Sequence, residues 1–167
     1  MERTLADFTS PALIIPELHL GAATEAIALL CCLLHQEGGV RDSAAFCGAV
    51  MAREFLSPTS LPPGWALPHA RLQSITQLSF ALARSAQPLV WFAESSIRPQ
   101  IVFLFAVPES EAKTYLRVVS AVAKLSQNEF LFEQLRTAPD AHAMLEVLGQ
   151  VPLRIRGLPP AVSASIR

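Results

Sequence analysis

A chain of 167 residues is long enough for one domain around a single buried core and too short for two comfortable ones. Apolar residues make up 51% of it and charged residues 16%, which suits elements covered on both faces in a layered α/β architecture better than a thin helical bundle. The formal net charge of −1 and the lack of any Lys or Arg run leave the electrostatic term of nucleic-acid binding without a source, which argues against DNA or RNA as a partner.

The N-terminus carries acidic Glu2 and Asp7 and no continuous apolar core behind Arg3. It lacks the layout of a secretory signal, so a cytoplasmic protein is expected. Residues 12–19 read as a short strand that Pro16 confines to an edge or ends early. A helix follows over 22–37, apolar all round, and Gly38 and Gly39 supply its positive-φ end. Its longest apolar stretch, 26–34, falls far short of the roughly 20 residues that cross a bilayer, so no membrane insertion is expected. Asp42 is the expected N-cap of a second helix reaching Leu56, where Pro58 blocks continuation. Cys31, Cys32 and Cys47 are odd in number and lack metal-ligand spacing, and are read as buried reduced thiols packed as small hydrophobes.

LPPGWALPHAR, at 61–71, is dense in proline and glycine and reads as a loop with at most a short extended piece at 65–67. Strand-like segments follow at 78–84, 89–92 and 101–107, and the uniform apolarity of the last marks a central strand buried on both faces. Ser110 and Glu111 open a helix whose apolar positions Leu116, Val119, Val122 and Ala123 recur at three- and four-residue spacing to about Ser126. Asn128 and Asp140 cap two further short helices extending to about Thr137 and Leu148. Residues 151–167 hold three prolines and no period and are read as a C-terminal tail behind a domain over 1–150.

His69 is the residue whose setting suggests chemistry. Pro68 restricts the preceding backbone and removes a donor, so the loop presents the imidazole in a fixed pose. Gly64 permits close backbone approach, and Arg53 lies at the end of the preceding helix within reach of the same loop. An imidazole near neutral pH keeps one nitrogen nucleophilic while a hydrogen bond holds the other. Phosphoryl transfer asks for alignment and charge stabilisation, and an arginine's planar fork serves both. His19, His35 and His142 lie in unrelated segments and are read as structural or surface residues. Trp65 and Trp91 are read as core aromatics.

GWALPHAR at 64–71 resembles the active-histidine signature of the type-2 IIA domains of the bacterial phosphotransferase system, the mannitol, fructose and nitrogen-branch group. MAREFLSPTS resembles that family's arginine-glutamate segment and Thr-containing turn, with Arg53, Glu54 and Thr59 at matching positions. IVFLFAVPESEAKTYLRVVSAVAKL is similar to its buried strand, proline turn and following helix, with Pro108, Lys113, Thr114 and Leu116 in register. The likeness covers about residues 5–148.

The resemblance, together with the flanking of an apolar strand block by helices, implies a three-layer α/β/α sandwich with a mixed central β-sheet. It further implies a phosphoryl carrier that accepts a phosphoryl group on His69 from a histidine phosphocarrier protein, with Arg53 contacting the phosphate. The group then passes to a IIB domain or serves as a signal to a regulated target, and no organic cofactor or metal is needed. Glu54, with Thr59 beyond the first contacts, is read as orienting Arg53 or as an exposed ion pair. Where the family commonly has a second histidine, this chain has Tyr115, which can donate a hydrogen bond but brings no positive charge near neutral pH. A chain with no fused IIB or membrane domain leans toward a regulatory role over sugar uptake. The alternative is a regulatory binding module that keeps the fold with weak or no phosphotransfer.

Overall fold

In the computed structural model, which describes residues 2–92 and 95–153, eight successive buried residues of β6 (Ile101–Pro108) form the axis of a mixed sheet. Every side chain on this strand needs a covering layer, so helices must pack on both faces. On one edge of β6 runs antiparallel β5 (Ser79–Ser85), followed by parallel β1 (Ile14–Leu18). The other edge is shared end to end by two parallel strands, β3 (Trp65–Ala66) and β4 (His69–Leu72), with antiparallel β2 (Ser60–Leu61) outside β3.

Period-two alternation divides the core into two chemically different halves. Phe103, Phe105 and Val107 of β6 and Phe80 and Leu82 of β5 face one side, where α3 (Ala112–Gln127), α4 (Glu129–Thr137) and α5 (Ala141–Leu148) cover them. Ala81, Ala83, Ala106, Val102 and Leu104 face the other, beneath α1 (Ala23–Gln36) and α2 (Ser43–Leu56). The small residues let Ala26, Ile27, Leu30, Phe46 and Val50 approach the sheet closely. The expected three-layer α/β/α arrangement with a mixed sheet is what the chain forms.

Helix starts follow the caps read from sequence. Asp42 accepts from Ala45 N at 3.0 Å, Asn128 from Leu131 N at 3.0 Å and Asp140 from Ala143 N at 2.8 Å. Three local readings differ. Residues 69–72 are a strand and not loop, because β4 finds a parallel partner in β6 far along the chain. The 89–92 segment is not a strand: Leu89 N donates to Pro99 O and Val90 N to Gly21 O, so it pairs with connecting loops through a single bridge at Val90. The buried stripe of α3 is Val118, Ala121, Val122 and Leu125, leaving Leu116 67% exposed.

Of the cysteines, Cys31 is buried, Cys47 half-buried and Cys32 exposed, which corrects the uniform burial expected. Burial and the neighbouring Cys47 push the Cys31 thiol well up. Val151 to Leu153, the start of the expected tail, lie along the N-terminus: Leu5 N donates to Val151 O and Leu153 N to Arg3 O. The remainder, 154–167, lies outside the described residues.

Candidate active site

His69 opens β4, and the preceding residue is already tied to the central strand, with Phe105 N donating to Pro68 O at 3.0 Å. The Nδ1–H of His69 donates to its own loop, to Leu67 O at 3.1 Å. A carbonyl only accepts, so this contact assigns the ring proton to Nδ1 and leaves Nε2 with its lone pair. Upstream, Gly64 takes φ +105° and offers its carbonyl to Gln100 N and Ile101 N. A side chain rarely tolerates that backbone conformation, which gives the glycine of the loop its physical role.

The half-buried imidazole stands in a cleft of about 540 Å³ between α2 and α3, lined also by Ala49, Arg53, Ala70, Arg71, Ala112, Tyr115 and Leu116. Arg53 sits in the last turn of α2, where its Nη1 donates to Ser57 O at 2.9 Å. That bond closes the helix end and holds the guanidinium on the cleft wall with donors to spare. Tyr115 comes from the first turns of α3, its ring 5.5 Å from that of His69 and edge-on to Phe105. Burial pushes its phenol up to about 12, and the charge of Arg53 draws it partly back. At neutral pH it is a hydroxyl donor without charge.

Glu54 does something the sequence did not show. It is completely buried and makes no ion pair with Arg53. Its carboxylate accepts instead from Thr59 Oγ1 at 2.8 and 2.9 Å, from the Thr59 backbone N and from Trp91 Nε1 at 3.1 Å. Thr59 Oγ1 in turn accepts from Leu67 N at 3.1 Å. A continuous chain of hydrogen bonds therefore runs from Glu54 through Thr59 to Leu67, whose carbonyl fixes His69. That chain of bonds ends on the carbonyl that accepts from His69, while Arg53 is held by the helix end.

Two participants were missed from sequence. Trp91, expected from sequence as a plain core aromatic, donates its indole N–H to Glu54. Arg71 was not singled out, yet it lines the cleft beside His69. The signal was its two-residue offset from His69, which puts both on one face once 69–72 is seen to be a strand. The other histidines stay apart: His19 pairs with Glu17 at 3.2 Å, His35 bonds Val40 O at 2.8 Å and His142 is exposed.

The arrangement offers one nucleophilic nitrogen, two guanidiniums and a hydroxyl around a space open to solvent. It suits an anion that must reach and leave a histidine. Residues 7–151 match the model of the family described as phosphoenolpyruvate-dependent sugar phosphotransferase system, EIIA 2. The chain belongs to this family.

Among curated relatives, this IIA chain is 26% identical over 160 residues to a nitrogen regulatory protein of Bradyrhizobium diazoefficiens, covering 96% of this chain and 99% of that one. It is 28% identical over 126 residues to the fructose-specific EIIA component of Haloferax volcanii, covering 75% and 82% respectively. Among solved structures, the nitrogen regulatory protein IIA-Ntr of Neisseria meningitidis superposes with a TM-score of 0.78 at 24% identity, over 86% of this chain and 98% of that one. The mannitol IIA of Escherichia coli, solved in complex with phosphorylated mannitol IIB, gives 0.72 at 19% identity over 84% and 96%. At these identities the structural likeness establishes the fold. No helix among the described residues is long and apolar enough to cross a membrane.

Proposed function

We propose that His69 Nε2 is the phosphoryl acceptor of this IIA protein, with Arg53 binding the equatorial oxygens and Tyr115 donating its hydroxyl to them. The donor is a histidine phosphocarrier protein. The phosphorus–nitrogen bond on the carrier breaks as the bond to Nε2 forms, and the proton stays on Nδ1, donated to Leu67 O, throughout. Delocalised positive charge on the ring of His69 is met by that carbonyl dipole. The acceptor is a IIB domain or a regulated target. With donors charged from phosphoenolpyruvate, the work is cytoplasmic.

The observation that carries this reading is the 3.1 Å bond from Nδ1 to Leu67 O, which makes Nε2 the free nitrogen in a cleft that also holds Arg53. Phosphoryl transfer needs little else from a protein than such alignment and charge. The test is label transfer from a phosphorylated carrier to wild-type, His69→Ala and Arg53→Ala proteins, with the site located by mass spectrometry under alkaline conditions that preserve phosphohistidine. Label on wild type that persists in His69→Ala removes His69 as acceptor.

A second reading, a binding module with little transfer, draws on Tyr115 and on the exposed apolar side chains near the cleft. Leu116 on its wall is 67% exposed, and Phe55 and Leu56, following Arg53 on α2, are 71% and 80% exposed. Stable binding to an unrelated protein, with no label from any carrier, would favour it.

A further inference from the structure

A phosphoryl group on a histidine nitrogen carries about two negative charges near neutral pH, as other phosphate monoanion–dianion systems do. One arginine leaves roughly half of that unbalanced, and Arg53 already spends one donor on Ser57 O. Tyr115 remains a neutral phenol there, so α3 supplies no second cation from its cleft wall. The balancing charge lies on β4 itself.

We propose that Arg71 is a second phosphoryl-binding cation of this site, so that two permanently charged guanidiniums and a neutral phenol do the work otherwise shared with a titratable histidine. Four observations carry it. Ala70 and Leu72 pack into the core under α1 and α2, so strand alternation turns His69 and Arg71 to the same opposite face. Their register partners Phe105 and Val107 are two apart on β6, a rise of roughly 7 Å, which an arginine side chain spans. Both line the one cleft, whose lining among the described residues includes no carboxylate. Arg71 is exposed and makes no salt bridge among the described residues, so its fork is free to close on an incoming anion.

The inference rests on His69 being the acceptor, and its test is built to separate the two. Phosphoramidate replaces the carrier as donor: its phosphorus–nitrogen bond breaks, ammonia leaves, and the phosphorus binds Nε2 while the Nδ1 proton stays. Label on His69 is followed by intact mass for wild type, Arg71→Gln, Arg71→Lys, Arg71→His and the double variant Arg71→Gln with Tyr115→His. Losing one charge-assisted bond predicts labelling about 10- to 100-fold slower in Arg71→Gln, with partial recovery in Arg71→Lys. In Arg71→His the rate relative to wild type falls as pH rises from about 6 to 8, because the introduced imidazole loses its charge there while the wild-type guanidinium keeps its own. The double variant regains rate at the acidic end of the same range. Thermal unfolding of Arg71→Gln stays at the wild-type value, since the side chain is exposed. Equal labelling of wild type and Arg71→Gln, or a pH-independent Arg71→His ratio, overturns the role of Arg71 while leaving His69 as acceptor. No label on His69 in wild type from either phosphoramidate or carrier overturns both.

Discussion

Replacing Thr59 with valine removes one oxygen while keeping the shape of the side chain, and that oxygen is the joint of the chain that fixes His69. Thr59 Oγ1 donates to the fully buried Glu54 and accepts from Leu67 N at 3.1 Å. A hydrogen bond to a charged group contributes about 1.5–3 kcal/mol, and a donor left without an acceptor costs about 1–3 kcal/mol. The two are coupled through one atom, and Thr59 is only half-buried so that water can reach it, which brings the sum to about 2–3 kcal/mol. Urea unfolding followed by tryptophan fluorescence should show that loss with an unchanged denaturant slope. Labelling of His69 should slow by about 10-fold under conditions where the variant stays folded, because the Leu67 carbonyl no longer fixes the ring. A stability change below about 0.5 kcal/mol, with labelling at the wild-type rate, would refute the reasoning that Glu54 acts on His69 through Thr59.

Other outcomes follow from the same contacts. Tyr115 is the one tyrosine of the chain, so tyrosinate absorbance reads it alone, and it should ionise at about 12, higher still in Arg53→Ala. Its folded pKa lies above the unfolded value of about 10, so the stability it contributes is complete below pH ~10 and is lost as pH rises through about 12. Two matched substitutions should separate packing from hydrogen bonding. Trp91→Phe strips Glu54 of a donor at 3.1 Å, whereas Trp65 Nε1 has no partner among the described residues, so Trp65→Phe loses only packing. Chemical denaturation should find Trp91→Phe the costlier by about 1–2 kcal/mol, although Trp65 is the more buried ring. Gly64→Ala forces a side chain into φ +105° and should cost about 1–3 kcal/mol in thermal unfolding.

What could be read from the sequence was whatever local chemistry decides. Asp42, Asn128 and Asp140 announce helix starts because a cap needs only its own next turn, and the unbroken apolar run of β6 announces a covered strand because water is excluded from both its faces. What stayed hidden depends on partners distant in the chain. Proline and glycine around 61–68 mask β4, whose strand character comes from pairing with β6, and with β4 unread the alternation that brings Arg71 to His69 was invisible. Apolar residues at 89–92 resemble a strand, but their backbone bonds go to Gly21, Ala23 and Pro99 in the segments beside them. Leu116 fits an apolar spacing yet sits on the cleft rim, because the covered face of α3 is set by the sheet beneath it. Glu54 follows Arg53 in sequence, which suggests a pair; successive helical residues point about 100° apart, and one turns to the cleft while the other turns inward to Thr59 and Trp91.

The most direct test of the whole account is phosphorus NMR of the wild-type protein charged by a phosphorylated carrier, read under alkaline conditions where the two phosphohistidine isomers have distinct shifts. With Nδ1–H held by Leu67 O, a single resonance of the Nε2-phosphorylated isomer is predicted, absent from His69→Ala. A resonance of the Nδ1 isomer, or any phosphohistidine signal surviving in His69→Ala, would contradict it.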